Sequence, residues 1–145
     1  MSVGGNVSFE KNFKRILYTP QTSPTILDSF NYIAIEGNIG AGKTTFTKGI
    51  LKGFNYEELV KSPTYNLVEI HETKSHKVFH FDLYRISEPI ELEEIGIDEY
   101  LKELKSVSIF EWPKNGESSL PSPDFHVQIS YKDTEQKNKR ELLIS

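Results

Sequence analysis

Residues 32–45, Tyr-Ile-Ala-Ile-Glu-Gly-Asn-Ile-Gly-Ala-Gly-Lys-Thr-Thr, constrain this chain more than any other stretch. Tyr32 to Ile35 is a short apolar run that reads as a buried strand, and a glycine-rich turn carries it into a helix pattern beginning near Lys43. The turn matches G-x-x-x-x-G-K-[ST] at every constrained position through Gly37, Gly42, Lys43 and Thr44. Glycine lets the backbone take positive φ and approach a ligand without a Cβ clash. The amides of Gly40, Ala41, Gly42, Lys43 and Thr44 can then converge on phosphate oxygens at a helix N-terminus, with Asn38 and Thr45 flanking them. Lys43 offers a point charge to the β- and γ-phosphates, and the Thr44 hydroxyl offers a ligand to Mg²⁺. The motif in this context points to a nucleoside triphosphate.

The rest of the chain supplies strands and helices in alternation. Residues 44–52 read as a helix with Phe46 and Ile50 on one face and Gly53 just past its end. Asn66–Glu72 and Lys77–Asp82 read as an antiparallel hairpin. Ser87-Glu88-Pro89 offers a hydroxyl cap and a first-turn proline to a helix that Gly96 ends, and a second helical piece spans 98–104. Val107–Glu111 reads as a buried strand stopped by Trp112-Pro113. Phe125, Val127, Ile129 and Tyr131 alternate with polar residues, and Arg140–Ile144 is their partner strand. Strands interleaved with helices after a phosphate loop imply an α/β fold with a mostly parallel central sheet and antiparallel additions, one face of it thinly covered. The 145 residues form one domain, residues 1–145. Within it, 1–31 are hard to assign: Phe9, Phe13, Ile16 and Leu17 give a partial helical spacing before the breaker-rich Thr19–Pro24.

Composition narrows the function classes. No stretch approaches the roughly 18–20 apolar residues of a membrane span, and the first thirty residues lack a secretory h-region. The chain has no cysteine, which excludes disulfides and cysteine-bound zinc and fits a cytoplasmic protein. The net charge of −4 argues against a chain that grips nucleic acid by itself. The densest basic group, Lys137, Lys139 and Arg140, reads as a solvated hairpin edge.

A triphosphate site also needs carboxylates, one for Mg²⁺ and one to orient or deprotonate the attacking water, and open α/β sheets supply them from strand carboxyl ends. Asp82 and Glu111 occupy such positions, each directly after an apolar run. Ser62 and Thr64 flank Pro63 on a loop that is either a segment sensing the γ-phosphate or an ordinary connection. Arg85 is either a cis charge neutraliser or a surface partner of the Glu91–Glu94 cluster. Trp112, the only tryptophan, defaults to core filler over a base stack or an exposed anchor. His71, His76, His80 and His126 lack metal-ligand spacing and read as structural or exposed.

Taken together, Gly40-Ala41-Gly42-Lys43-Thr44-Thr45, Lys61-Ser62-Pro63-Thr64-Tyr65, His80-Phe81-Asp82-Leu83-Tyr84-Arg85 and Glu111-Trp112-Pro113 resemble, in this order, the TsaE family. These are small bacterial P-loop ATPases of tRNA threonylcarbamoyladenosine biosynthesis. The resemblance spans about residues 33–145 and implies a P-loop NTPase-like fold. It implies an ATP-binding, slowly hydrolysing partner of a TsaB–TsaD pair, which supports threonylcarbamoyl transfer to adenosine while the partners hold the tRNA. By motif match, Thr44 and Glu111 become Mg²⁺ ligands, Lys43 the phosphate lysine and Asp82 essential for hydrolysis. Ser62 and Thr64 fall in the switch loop, and Trp112 neighbours the nucleotide.

One departure keeps a second reading open. Asn38 stands where the family usually has Asp, and Ile35–Gly40 resembles the phosphate loop of deoxynucleoside kinases. A small nucleoside or nucleotide kinase is therefore the alternative, and a nucleotide-dependent binding module with incidental hydrolysis is a third.

Overall fold

The structure is a computed structural model, and it describes residues 31–131 and 139–145. The expected helical spacing at Phe9–Leu17, the loop at Thr19–Pro24 and Lys137 lie outside the described residues. Six strands form one sheet: β1 (Tyr32–Gly37), β2 (Val68–Glu72), β3 (Lys77–Asp82), β4 (Ser106–Glu111), β5 (Phe125–Tyr131) and β6 (Arg140–Ile144). Their spatial order is β2-β3-β4-β1-β5-β6. β3, β4, β1 and β5 run parallel, and β2 and β6 add antiparallel at the two edges. The mostly parallel sheet with antiparallel additions is as expected.

Alternation along the central strands sorts the core into two layers. Ile33 and Ile35 of β1 and Val127 and Ile129 of β5 pack beneath helix α1 (Lys43–Gly53), which contributes Phe46, Ile50 and Leu51. Tyr32, Ala34, Phe79, Phe81 and Phe110 face the other way, with the rings of Phe81 and Phe110 stacked 4.4 Å apart. That second face is covered by α2 (Ile90–Glu94), α3 (Ile97–Lys102) and a 3₁₀ helix at Pro113–Ser119 that the sequence reading lacks. Among the described residues α1 is the one helix on the first face, where Phe54 and Val60 also pack.

Several boundaries differ for local reasons. Gly53 is the last residue of α1 instead of lying beyond it, because the left-handed turn falls on Asn55 at φ 59°. Ser87 is not a cap: α2 starts at Ile90, and the Glu91 carboxylate reaches back to accept the Ser87 and Glu88 amides at 3.0 and 2.9 Å. That is the carboxylate half of a capping box without its hydroxyl half. Gly96, at φ 74°, closes α2 and starts α3 one residue earlier than expected, and α3 ends at Lys102.

Gly37 is required by its neighbour across the sheet as well as by the turn. A Cβ at Gly37 would lie 2.7 Å from the Ile129 carbonyl oxygen and 3.0 Å from Ala41 Cβ. Backbone on one side and a packed loop on the other leave it nowhere to go. Gly37→Ala is therefore expected to destabilise the fold by about 1–3 kcal/mol, the usual cost of overpacking. Urea unfolding tests this, and a variant as stable as the wild type would show that β1 and β5 can separate.

Candidate functional site

The parallel strands all deliver their carboxyl ends to one edge of the sheet. Gly37 closes β1, Asp82 closes β3 and Glu111 closes β4; Asp82 and Glu111 are register partners, and Glu111 also pairs with Ile35. Neighbouring parallel strands therefore bring together acids that are distant in sequence. They line a cavity of about 510 Å³ with Ile39, Gly40, Gly42, Lys43, Thr44, Thr45, Ser62, Thr64, Tyr84 and Trp112. Of the expected site residues, Gly37, Asn38 and Ala41 are outside this lining and lie in the adjoining turn.

The turn itself is held open by hydrogen bonds. Gly40 and Gly42 have φ of 78° and 106°, and the Ala41 amide donates to the Asn38 carbonyl at 3.0 Å. Two loop carbonyls are drawn outward by the far edge of the sheet. Arg140 Nε donates to Ala41 O at 2.9 Å, Arg140 Nη2 to Gly40 O at 3.3 Å, and the Tyr131 hydroxyl to Gly40 O at 3.1 Å. The Arg140 guanidinium also lies 4.0 Å over the Tyr131 ring. Arg140, read from sequence as part of a solvated hairpin edge, is instead a clip on the phosphate loop. Nothing local signals this, because the contact joins residues about a hundred positions apart.

Lys43 starts α1 and is only 6% exposed. Its ammonium donates to Gly37 O at 2.7 Å and Asn38 O at 3.0 Å, and lies 3.9 Å from the centroid of the Trp112 ring. Burial lowers its pKa, against the opposing pull of Glu111 and Asp82. Trp112 is half buried and packs partly against the second core layer, so the core-filler expectation is met only in part. Its backbone is left-handed at φ 56°, directly after β4, and this turn places the indole beside Lys43 and Tyr84.

The two acids have different surroundings. Glu111, 2% exposed, accepts the Thr44 hydroxyl at 2.9 Å and His80 Nε2 at 2.7 Å, both on Oε1. Asp82, 4% exposed, accepts the Ser62 and Thr64 hydroxyls on Oδ2 at 2.5 and 2.9 Å, and the Tyr84 amide on Oδ1 at 3.0 Å. Ser62 and Thr64 thus belong to the site wall, not to a remote connection. A carboxylate and a hydroxyl side by side are hard oxygen donors, which suit a divalent cation shared with phosphates. Among the described residues no cluster of three or more His, Cys, Asp or Glu side chains is arranged to hold a metal by itself. Mg²⁺ does not need one, since it is usually held by one or two protein oxygens plus phosphates.

Arg85 satisfies neither expectation. Its guanidinium lies 4.4 Å over the Tyr65 ring, and no ion pair among the described residues joins it to the Glu91–Glu94 cluster. Neither Arg85 nor Arg140 lines the cavity. A larger groove of about 620 Å³ lies over the β1 and β5 face that carries Tyr32, Ala34 and His126. Within it Glu36 meets His126 at 2.8 Å and Lys114 at 3.8 Å, and Glu117 also lines it. Most of the site residues expected from the sequence line the smaller cavity.

Three of the four histidines are buried. His71 Nδ1 lies 3.0 Å from the Tyr56 hydroxyl, and burial, with His80 nearby, holds its ring below the ordinary imidazole range. The unfolded chain then binds more protons than the fold, so stability rises with pH and is lost as pH falls below about 6.5. Denaturation at pH 7.5 and 5.5 should show a shallower loss in His71→Asn than in the wild type. Equal losses would assign the acid sensitivity to other groups.

Comparisons with known proteins agree with this layout. A family model described as threonylcarbamoyl adenosine biosynthesis protein TsaE matches residues 9–142. The Haemophilus influenzae protein named tRNA threonylcarbamoyladenosine biosynthesis protein TsaE is 41% identical over 125 residues, 86% of this chain and 75% of that protein. The Bacillus subtilis protein of the same name is 35% identical over 97 residues, 67% of this chain and 60% of its own length. The crystal structure of Bacillus subtilis YdiB superposes with a TM-score of 0.66 at 23% identity, covering 93% of this chain and 76% of that one, a likeness of fold. The fold is of the P-loop type, and with the family model spanning nearly its whole length, the chain belongs to the TsaE family of threonylcarbamoyl adenosine biosynthesis proteins.

Proposed function

We propose that this protein is an ATP-binding, slowly hydrolysing subunit that supports tRNA threonylcarbamoyladenosine formation in the cytoplasm with a TsaB–TsaD-like pair, touching tRNA only through them. The observation that carries the reading is the meeting of Thr44 with Glu111, and of Ser62 and Thr64 with Asp82, in one cavity beside the loop amides. Triphosphate oxygens would replace the Gly37 and Asn38 carbonyls as acceptors for Lys43. Thr44 and Glu111 would hold Mg²⁺, which neutralises charge on the β- and γ-phosphates when bound. Asp82, fixed by three donors, has an oxygen atom in reach of the loop hydroxyls and is the group suited to orient or deprotonate water.

No arginine among the described residues lines the cavity. An arginine finger contributes about 10³–10⁵ in rate where present, so hydrolysis by the isolated protein is expected to be slow and to respond to partners. The deciding experiment is multi-turnover formation of the modified nucleoside by the TsaB–TsaD-like pair, with and without this protein. Modification that stops after about one turnover in its absence supports the reading; unchanged turnover would remove it. Asn38 contributes to the site through its backbone carbonyl, and its side chain has no hydrogen bond among those described. Nothing at the cavity therefore favours the kinase alternative.

A further inference from the structure

His80 sits inside β3, between Val78 and Asp82 on one strand face, and is fully buried. Val78 belongs to the core layer beneath α1, and the register neighbour of His80 on β4 is Ile109. An apolar side chain would fill such a place at lower cost, because an imidazole takes two polar nitrogens out of water. Only one of them is used: Nε2 lies 2.7 Å from Glu111 Oε1, while Nδ1 has no hydrogen-bond partner among the described residues. His71 likewise has a buried, unpartnered Nε2 while its Nδ1 meets the Tyr56 hydroxyl, so what sets His80 apart is where its bond goes. This one commits its single bond to a carboxylate oxygen that also receives the Thr44 hydroxyl. Two donors on Oε1 fix the rotation of the carboxyl group and leave Oε2 for a ligand.

We propose that His80 is a positioning residue for this site: its buried Nε2–H holds the Glu111 carboxylate in the orientation that, with Thr44, receives the divalent cation of a nucleotide. The proposal rests on the ATPase reading above. Outer partners of this kind orient metal ligands, and their loss costs about 10–100-fold in metal affinity. His80 ranks among the residues that sequence spacing misses, since it is not itself a ligand and lies alone on an apolar strand.

The test compares His80→Phe, which fills similar volume without a donor, with His80→Gln, whose amide N–H can replace Nε2–H. Mn²⁺ binding in the presence of ADP is followed by electron paramagnetic resonance, ADP binding in EDTA by calorimetry, and folding by thermal melting. His80→Phe is expected to lose about 10–100-fold in Mn²⁺ affinity, with metal-free ADP affinity unchanged and a melting temperature equal to or above the wild type. His80→Gln should recover most of the metal affinity. Wild-type Mn²⁺ affinity in His80→Phe would overturn the proposal. So would a lowered melting temperature, or failure to fold, in both variants, which marks a packing role. A wild type that binds no Mn²⁺ with ADP would overturn the ATPase reading and this proposal together, whereas equal binding by wild type and His80→Phe would overturn only the role of the histidine.

Discussion

Lys43→Met is expected to weaken ATP binding about 10–100-fold while leaving the stability of the fold within about 1 kcal/mol of the wild type. The affinity loss follows from a hydrogen bond to a charged group, worth about 1.5–3 kcal/mol. The small stability change follows from opposing effects at a buried charge. Lys43 is 6% exposed, and its burial disfavours the ammonium, while Glu111 and Asp82 attract it. Removing it relieves the first effect and forfeits the second together with the bonds to the Gly37 and Asn38 carbonyls, which sit at an open cavity where water can replace the ammonium. The acids do not lose their own donors, since Thr44, His80, Ser62 and Thr64 remain. Met keeps the apolar stem and sets a thioether beside the Trp112 ring, a favourable contact. Calorimetry with ATP and urea unfolding measure the two halves separately. ATP affinity equal to the wild type would mean that Lys43 is not a phosphate ligand. Trp112, the sole tryptophan, adds an internal reporter, because its ring now lies against the Lys43 ammonium. ATP should change its fluorescence, and adenosine, which carries no phosphate, should not.

Asp82→Asn is expected to lower the hydrolysis rate about 10²–10⁴-fold, the range for loss of a positioned base, with little change in ATP affinity. The substitution keeps the shape of the side chain and an acceptor oxygen for the Tyr84 amide. Its new NH₂ group faces the Ser62 and Thr64 hydroxyls, which can rotate to accept instead of donate. The loop therefore stays in place and only the charge and basicity are lost. The same variant separates the ATPase from the binding-module alternative. If hydrolysis resets the protein between rounds, multi-turnover modification falls along with ATP cleavage. If modification continues at the wild-type rate while cleavage is abolished, ATP acts as a bound ligand and hydrolysis is incidental to modification; cleavage at the wild-type rate in Asp82→Asn would instead remove the hydrolytic role of Asp82.

The groups of this site differ in how far along the chain their partners lie, and that separation decides which of them a sequence reveals. The phosphate loop is legible because its glycines, lysine and threonine act through backbone geometry within one turn of chain. Asp82 and Glu111 are legible because each ends an apolar run with an acid, a polarity change that a strand makes only where it leaves the core. The Ser62–Thr64 loop is half legible: proline marks it as extended, but the two hydroxyls meet Asp82 only once β3 is placed. Arg140 is misread because charge density at a hairpin suggests solvent, whereas its acceptors are carbonyls on the opposite side of the sequence. His80 looks structural because an isolated histidine in an apolar run usually is.

By itself, the sequence determined the alternating layers of the sheet, the positive-φ turn ahead of α1 and the identity of the two strand-end acids. These are short-range properties: side-chain period, glycine freedom and the abrupt end of an apolar run. Only the tertiary structure decided which partners those groups keep. Parallel pairing of β3, β4 and β1 set Asp82 beside Glu111, and Glu111 beside Thr44 and His80. The β5–β6 hairpin brought Arg140 and Tyr131 onto the loop carbonyls. Hydrogen bonds across a sheet depend on strand order and register, which long-range packing selects and no local pattern encodes.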